Sequence, residues 1–146
     1  MKSIKTLAAI AFAALTLSLT GCSKDPEDLI IGTWEETEVT YTETYNGNTE
    51  TNSMLEEGET AEITFNKDLT FSSIYHSNDG DATSNGTYSI AGDKITITTV
   101  MEEDTDVEVY NIDNIDKKNM TLSISESMTY EGETYSYSIK IVCKKK

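Results

Sequence analysis

The stretch ETYSYSIKIVCK, residues 133–144, shows the clearest strand pattern in the chain. Apolar and aromatic side chains alternate with mostly polar ones, which predicts a β-strand with one dry face and one wet face. The dry face would carry Tyr135, Tyr137, Ile139, Ile141 and Cys143. Because every second side chain of a strand points the same way, this segment requires a sheet that buries its odd-numbered residues. We therefore expect it to be the last strand of an all-β domain.

The same alternation recurs from residue 29 onward, and no helical period of useful length interrupts it. Threonine, isoleucine, valine and aromatic residues dominate these segments, as is typical of strands. Asn46-Gly47 is a strong signal for a tight hairpin turn. Residues 77–81 are predicted to be a loop, and residues 86–90, 120–125 and 128–131 to be short strands. About eight to ten strands follow from this pattern.

Strands joined by such short turns pair antiparallel with their neighbours in sequence. The predicted fold is an antiparallel up-and-down barrel of about eight strands, since closure removes the exposed edges. A two-sheet β-sandwich satisfies the same alternation and is the alternative. The register of residues 105–112 stays open: either Val107 and Val109 or Glu108 and Tyr110 face inward.

The N-terminus has the features of a secretory signal peptide. Two lysines precede an apolar run from Leu7 to Leu19, shorter than the roughly 20 residues that cross a membrane. The run ends in Leu19-Thr20-Gly21-Cys22, which resembles the lipobox of bacterial lipoproteins. The resemblance implies cleavage before Cys22 and attachment there of fatty-acyl chains such as palmitate. The alternative is an ordinary secretory signal that ends near a cysteine.

Three segments are therefore expected: a signal peptide at 1–21, a lipidated tether at 22–28 and the barrel domain at 29–146. The tether contains Lys24 followed by several acids, which is similar to the export signal of surface lipoproteins in Bacteroides-type bacteria. This similarity implies an outer-membrane lipoprotein at the cell surface, with the periplasmic face as the alternative.

The chain is strongly acidic, with 26 Asp and Glu against 11 basic residues and a formal charge of −15. Nucleic acid is an unsuitable partner, because binding it requires basic groups that neutralise phosphates. Anionic lipid head groups are disfavoured for the same reason. We expect the membrane contact to consist of the acyl chains on Cys22 alone, and the barrel to be monomeric.

The residues that usually carry chemistry are sparse, and we expect a protein that is not an enzyme. His76 is the single histidine, so a triad would need partners that no local spacing supplies. Glu102-Glu103-Asp104 with Asp106 is a candidate for a weak divalent-cation site, although a solvated turn explains it equally simply. Cys143 has no disulfide partner if Cys22 is acylated, and is expected to be a core residue. No catalytic residue, resident metal or cofactor is assigned.

Gly32-Thr33-Trp34 precedes the first predicted strand, and lipocalins begin that strand with Gly, any residue and Trp. The chain resembles a lipocalin, and more closely the small lipocalin-like lipoproteins of Bacteroides-type bacteria. Three later stretches add to the resemblance, which spans about residues 29–98: ITFNKDLTF at 63–71, GTYSI at 86–90 and GDKITI at 92–97. It implies that Trp34 plugs one end of the barrel. Many lipocalins cover this Trp with an arginine, and here Lys140 or Lys144 would substitute.

The resemblance implies that the barrel interior binds a small hydrophobic or amphipathic molecule. The candidate contacts are aromatic residues on inward-facing positions, each of which could equally be core: Trp34, Tyr41, Phe65, Phe71, Tyr75, Tyr88, Tyr135 and Tyr137. The alternative function is a solid-core interaction module that binds a protein or glycan through its loops or outer face.

Overall fold

The structure, a computed structural model, describes residues 25–101, 104–130 and 132–146. Cys22 and the signal segment therefore lie outside the described residues, as do Glu102 and Glu103. The described residues form one short helix and nine strands: α1 Pro26–Ile30, β1 Gly32–Tyr45, β2 Asn48–Ser53, β3 Thr60–Phe65, β4 Thr70–Ser77, β5 Gly80–Ala91, β6 Lys94–Val100, β7 Thr105–Ile115, β8 Asn119–Tyr130 and β9 Glu133–Lys145.

The strands form a closed antiparallel barrel, which confirms the predicted fold over the β-sandwich. From β3 to β9 each strand pairs with the next, and β9 returns to pair with β1. This last ladder runs from Trp34 opposite Lys145 to Tyr45 opposite Tyr135. Eight strands thus close the barrel, and β2 is one extra strand on the edge of β1.

Two strands are longer than the sequence pattern predicts. β5 begins at Gly80, so most of the loop expected at 77–81 is hairpin, with Ser77 opposite Gly80. β8 continues without a break to Tyr130, where two short strands were expected. Both additions are mostly polar and exposed, so they show little apolar alternation and depend on ladder hydrogen bonds with their neighbours.

The open register of β7 is decided by its neighbour β6. Tyr110 lies opposite Ile95, and Glu108 opposite Ile97. Residues directly opposite on neighbouring strands share a face, so Tyr110 and Glu108 point inward with the two isoleucines. Tyr110 is buried, whereas Val107 and Val109 are exposed to 56% and 44%.

Helix α1 is an element that the sequence analysis does not predict. Pro26–Ile30 is too short to show a helical period, and its first three residues belong to the expected tether. Pro26 occupies the first turn, where its missing N–H costs no hydrogen bond, and Glu27 and Asp28 suit the positive end of the helix dipole. Ile30 is fully buried, so contact with the barrel holds this turn in place.

The core fills one end of the barrel, which we call the Trp34 end. Trp34 is fully buried, and its Nε1–H donates to the Ile30 carbonyl at 2.7 Å. Around it lie the other buried core residues: Phe65, Phe71, Tyr88, Ile95, Tyr110, Ile112, Met120, Leu122 and Cys143. The polar groups in this cluster are the Trp34 indole N–H, the Tyr hydroxyls and the thiol, and the remaining side-chain surface is apolar.

The cation over Trp34 is Lys145, which corrects the expectation of Lys140 or Lys144. Lys145 Nζ lies 4.8 Å from the centre of the Trp34 ring and also donates to the Leu29 carbonyl at 2.7 Å. The β1–β9 register places Lys145 directly opposite Trp34 and therefore on its face. Lys140 and Lys144 are exposed on the opposite face of β9.

The half of the barrel away from Trp34, which we call the distal half, has a divided wall. Near the Trp34 end, residues 111–115 of β7 pair with residues 120–123 of β8. Beyond Asn111 and Ser123 the two strands keep only their other neighbours, β6 and β9. A bulge between Ile112 and Asn114 interrupts this ladder, and bulges bend a strand and increase its twist. The strands consequently separate toward the distal end.

Candidate functional site

A cleft of about 490 Å³ lies where β7 and β8 separate, and we call it the distal cleft. Its lining comes from β6, β7, β8 and β9: Lys94, Asp106, Val107, Glu108, Val109, Asn111, Ile124, Ser125, Glu126 and Tyr137. The cleft therefore combines aliphatic surface with carboxylates and a phenol. A few polar groups converging on apolar surface is the usual composition of a small-molecule site.

Three of the predicted contact residues meet beside this cleft. The rings of Tyr41 and Tyr137 are stacked, with centres 6.2 Å apart and planes inclined by 26°. The hydroxyls of Tyr41 and Tyr135 are hydrogen-bonded at 2.8 Å. The three side chains share the inward face because β1 and β9 are neighbours with matching registers. The structure thus brings Tyr41, Tyr135 and Tyr137 into one aromatic group on the β1–β9 side.

The sequence analysis does not select the acidic residues of the cleft. The Tyr110 hydroxyl donates to Glu108 Oε2 at 3.0 Å, and burial, followed by the charge of Glu108, raises the Tyr110 pKa. Burial and then Glu126 raise the pKa of Tyr137. These phenols stay protonated near neutral pH and can donate hydrogen bonds. The sequence analysis left two registers open for residues 105–112. In one of them Glu108 and Tyr110 face inward, and that register was the sequence signal for these two residues.

The remaining predicted residues occupy other places. Trp34, Phe65, Phe71 and Tyr88 belong to the packed core of the Trp34 end, where the Phe65 and Tyr88 rings meet edge to face at 4.9 Å. Tyr75 lies on β4 in the distal half, away from the distal cleft, and its hydroxyl donates to Glu59. That hydrogen bond, with burial, raises the Tyr75 pKa to about 12. The eight predicted residues thus divide equally between the core and the distal half.

Glu36 is a carboxylate inside the barrel wall, opposite Cys143 on β9. Burial raises its pKa above the ordinary value. Because the charged form is the disfavoured one, the folded state gains stability when this group is protonated and loses it as pH rises through the raised pKa.

We therefore expect Glu36→Gln to raise the melting temperature at pH 7, where wild type carries a penalised charge. The gain should shrink as pH falls below the ordinary glutamate pKa, because wild type is then neutral in both states. Thermal unfolding followed by circular dichroism from pH 3 to pH 7 measures this, with the exposed Glu57→Gln as control. An equal effect of both substitutions at every pH would contradict the assignment.

Cys143 is a buried free thiol, 1% exposed. Burial, followed by the charge of Glu36, raises its pKa to about 12. Because the thiolate is the reactive form, we expect no alkylation by iodoacetamide at pH 8 in the folded protein. In denaturant we expect full alkylation of Cys143. Mass spectrometry of the Cys22→Ser variant measures the labelling in both conditions. Rapid labelling of the folded protein would contradict the core position.

Two other clefts differ from this site in their lining. One, of about 760 Å³, is bordered by α1, the turn after β3 and the end of β5, and mixes charged with apolar side chains. Another, of about 410 Å³, adjoins the distal cleft and shares Ser125, Glu126 and Tyr137 with it, and its remaining lining is serine and threonine on β1, β8 and β9. The distal cleft remains the candidate site, because the predicted tyrosines and the inward-facing carboxylates meet there.

Among the residues that the structure describes, no group of three or more His, Cys, Asp and Glu side chains could hold a metal ion. Glu102 and Glu103 of the predicted cation site lie outside the described residues, so that prediction stays untested. His76 Nδ1 lies 2.8 Å from Asp81 Oδ1 on the surface.

In the same described part of the chain, no helix has the length and apolarity needed to span a membrane.

Comparison with known proteins identifies one family. The family model described as "Lipocalin-like domain" matches residues 30–122, which is more than half of the chain. The match covers the segment from the end of α1 to the middle of β8 and thus includes Trp34 and most of the barrel. No curated protein matches the chain.

Proposed function

The chain belongs to the lipocalin-like domain family, and on this premise we propose that it binds a small amphipathic molecule in the distal cleft. A lipocalin-like barrel is in general a small-molecule-binding fold, and it is typically a binding rather than a catalytic one. The observation that carries the proposal is the distal cleft itself, whose volume of about 490 Å³ lies in the range of small-ligand sites.

The two halves of the barrel support this location. Eleven buried side chains of the described residues, Trp34 among them, form one core cluster at the Trp34 end. The distal cleft has aliphatic surface from Ile124 and polar groups from Glu108, Glu126 and Tyr137. A molecule with one apolar and one polar part fits this lining better than a pure hydrocarbon, because each carboxylate must keep a polar neighbour or water.

Binding of the neutral fluorescent probe N-phenyl-1-naphthylamine tests the proposal. We expect saturable binding, and Tyr137→Ala should weaken it about five- to tenfold, since one aromatic contact contributes on the order of 1 kcal/mol. Tyr130→Ala is the matched control, because Tyr130 lies on β8 at 74% exposure. Absence of saturable binding, or equal loss in both variants, would refute the proposal.

A second candidate function is an interaction module that binds a protein or glycan through the outer face. Hydroxyls cover the outer face of β1 and β2, where Thr42 and Thr51 are hydrogen-bonded at 3.0 Å and Thr44 and Thr49 at 2.9 Å. The hydroxyl-lined cleft of about 410 Å³ continues this surface across β9. If the probe does not bind the barrel while a glycan array gives binding that Thr42→Val abolishes, this function replaces the first.

We also infer that lipid on Cys22 anchors the protein at the outer membrane, facing outward. Leu19-Thr20-Gly21-Cys22, behind a charged start and an apolar run, supports the anchor, and the Lys24 segment supports surface display. Cys22→Ser should move the protein from the membrane fraction to the soluble fraction. Protease added to whole cells should degrade the wild-type protein, and full protection would place it on the periplasmic face instead.

A further inference from the structure

Resting on the proposed function, we propose that the ligand of the distal cleft carries an ammonium-type cationic head group on an apolar body. The inference concerns the chemical class of the ligand, and it depends on the charges and rings that the two sides of the cleft present to each other.

Carboxylates from three strands face the interior beside the tyrosines. Glu126 on β8 and Glu43 on β1 are both direct partners of Tyr137 on β9, so all three share the inward face. From the other side, Glu108 faces inward on β7, and Asp106 follows it with the same parity. Acidic groups thus approach the cleft from both sides of the gap between β7 and β8.

Within the described structure, Lys94 is the one basic residue that lines the distal cleft. Lys94 borders the cleft from the outer face of β6, where its Nζ donates to Asn111 Oδ1 at 2.7 Å. Lys140 shares the outer face with Thr40 and Ser123, and Lys145 lies against Trp34 at the other end. Asp106, Glu108 and Glu126 therefore outnumber the one lysine that lines the cleft.

The aromatic group supplies the second element of a cation site. A cation is attracted to the face of a tyrosine ring, and Tyr137 lines the cleft with Tyr41 stacked behind it. Asp106 and Glu126 are exposed and Glu108 is half-buried, and a cation bound between these like charges offsets their mutual repulsion. A fatty acid would add another negative charge to the same place, so the cleft discriminates against it.

An organic cation fits this lining better than a metal ion. A zinc site needs at least three protein ligands converging on one point, and among the described residues no group of three or more His, Cys, Asp and Glu side chains could hold a metal ion. The acidic groups instead come from two strands, Asp106 and Glu108 from β7 and Glu126 from β8, beside Tyr137 and Ile124. This arrangement suits a cationic head group with an attached apolar chain.

Three ligands that share one alkyl chain test the proposal: dodecylamine, dodecanol and dodecanoate, each at pH 7, the two ions below their micelle concentrations and the alcohol below its solubility limit. Displacement of N-phenyl-1-naphthylamine from the full-length protein gives the affinities. We expect dodecylamine to bind about tenfold tighter than dodecanol, with dodecanoate the weakest. Equal or tighter binding of dodecanoate would overturn the proposal while leaving the proposed function standing. If none of the three displaces the probe, and the probe itself does not bind, both fail.

Variants separate the cleft from the general acidity of the protein. Glu108→Gln/Glu126→Gln should abolish the preference for the amine over the alcohol and leave the alcohol's affinity within about twofold. Glu38→Gln/Glu57→Gln removes the same number of charges from exposed positions and should preserve the preference. If both double variants reduce the preference equally, the attraction is long-range charge alone and the cleft has no cation site.

Discussion

Trp34→Ala is expected to lower the free energy of unfolding by about 3–5 kcal/mol, the usual cost of truncating a large buried aromatic side chain. Trp34 is fully buried, and it connects three parts of the Trp34 end. Its indole N–H donates to the Ile30 carbonyl, and its ring lies under Lys145. Removing the ring leaves a cavity, an unpaired carbonyl and a lysine without its aromatic contact.

Urea unfolding followed by far-ultraviolet circular dichroism measures this loss, since the variant has no tryptophan for fluorescence. Tyr130→Ala is the control, because Tyr130 is 74% exposed and its truncation should change stability by about 0.5 kcal/mol or less. A loss below about 1 kcal/mol in Trp34→Ala would show that the Trp34 end collapses around the missing ring. That outcome would contradict the plug assignment.

The second large effect is expected at Gly86, where an added methyl group has no space. A Cβ built on Gly86 would lie 1.9 Å from the Thr98 carbonyl oxygen on β6 and 3.0 Å from the Phe71 ring. Neither the ladder nor the buried Phe71 can yield without moving the β5–β6 hairpin. Gly86→Ala should therefore destabilise the protein by about 3 kcal/mol, at the upper end of ordinary overpacking.

Ser89→Ala provides the comparison, because Ser89 lies on the same strand and is exposed. Its stability should change by about 0.5 kcal/mol or less. Chemical denaturation of both variants gives the difference directly. If Gly86→Ala unfolds at the wild-type urea concentration, β5 and β6 must lie farther apart than the structure shows.

Strand positions were largely predictable from the sequence because alternation is a local property of the chain. Residues 133–144 predicted both β9 and its buried face, and Asn46-Gly47 predicted the turn that the structure forms with positive φ at both residues. The errors fall where the local signal is weak. The polar extension of β5, the polar end of β8 and the single turn of α1 have no apolar period, and neighbouring elements hold them in place.

The candidate site was only partly predictable. Its tyrosines stand out in the sequence, because Tyr135 and Tyr137 share the parity of the last strand. Its carboxylates do not stand out, since Glu108 and Glu126 are two of 26 acidic residues with no distinguishing spacing. Pairing of β7 with β6 places Glu108 on the inward face, and pairing of β8 with β9 does the same for Glu126. Both residues lie where β7 and β8 separate.

By itself, the sequence determined the all-β class, the alternation of the strands, the main turns and the net acidity of the chain. These properties depend on neighbours along the chain or on composition, so no contact between distant segments is needed to infer them. Only the tertiary structure decided that Lys145 covers Trp34, that Glu108 and Tyr110 face inward, and that the wall divides beyond Asn111. Each of these depends on the register between strands, and shifting a strand by one residue reverses which side chains face the interior.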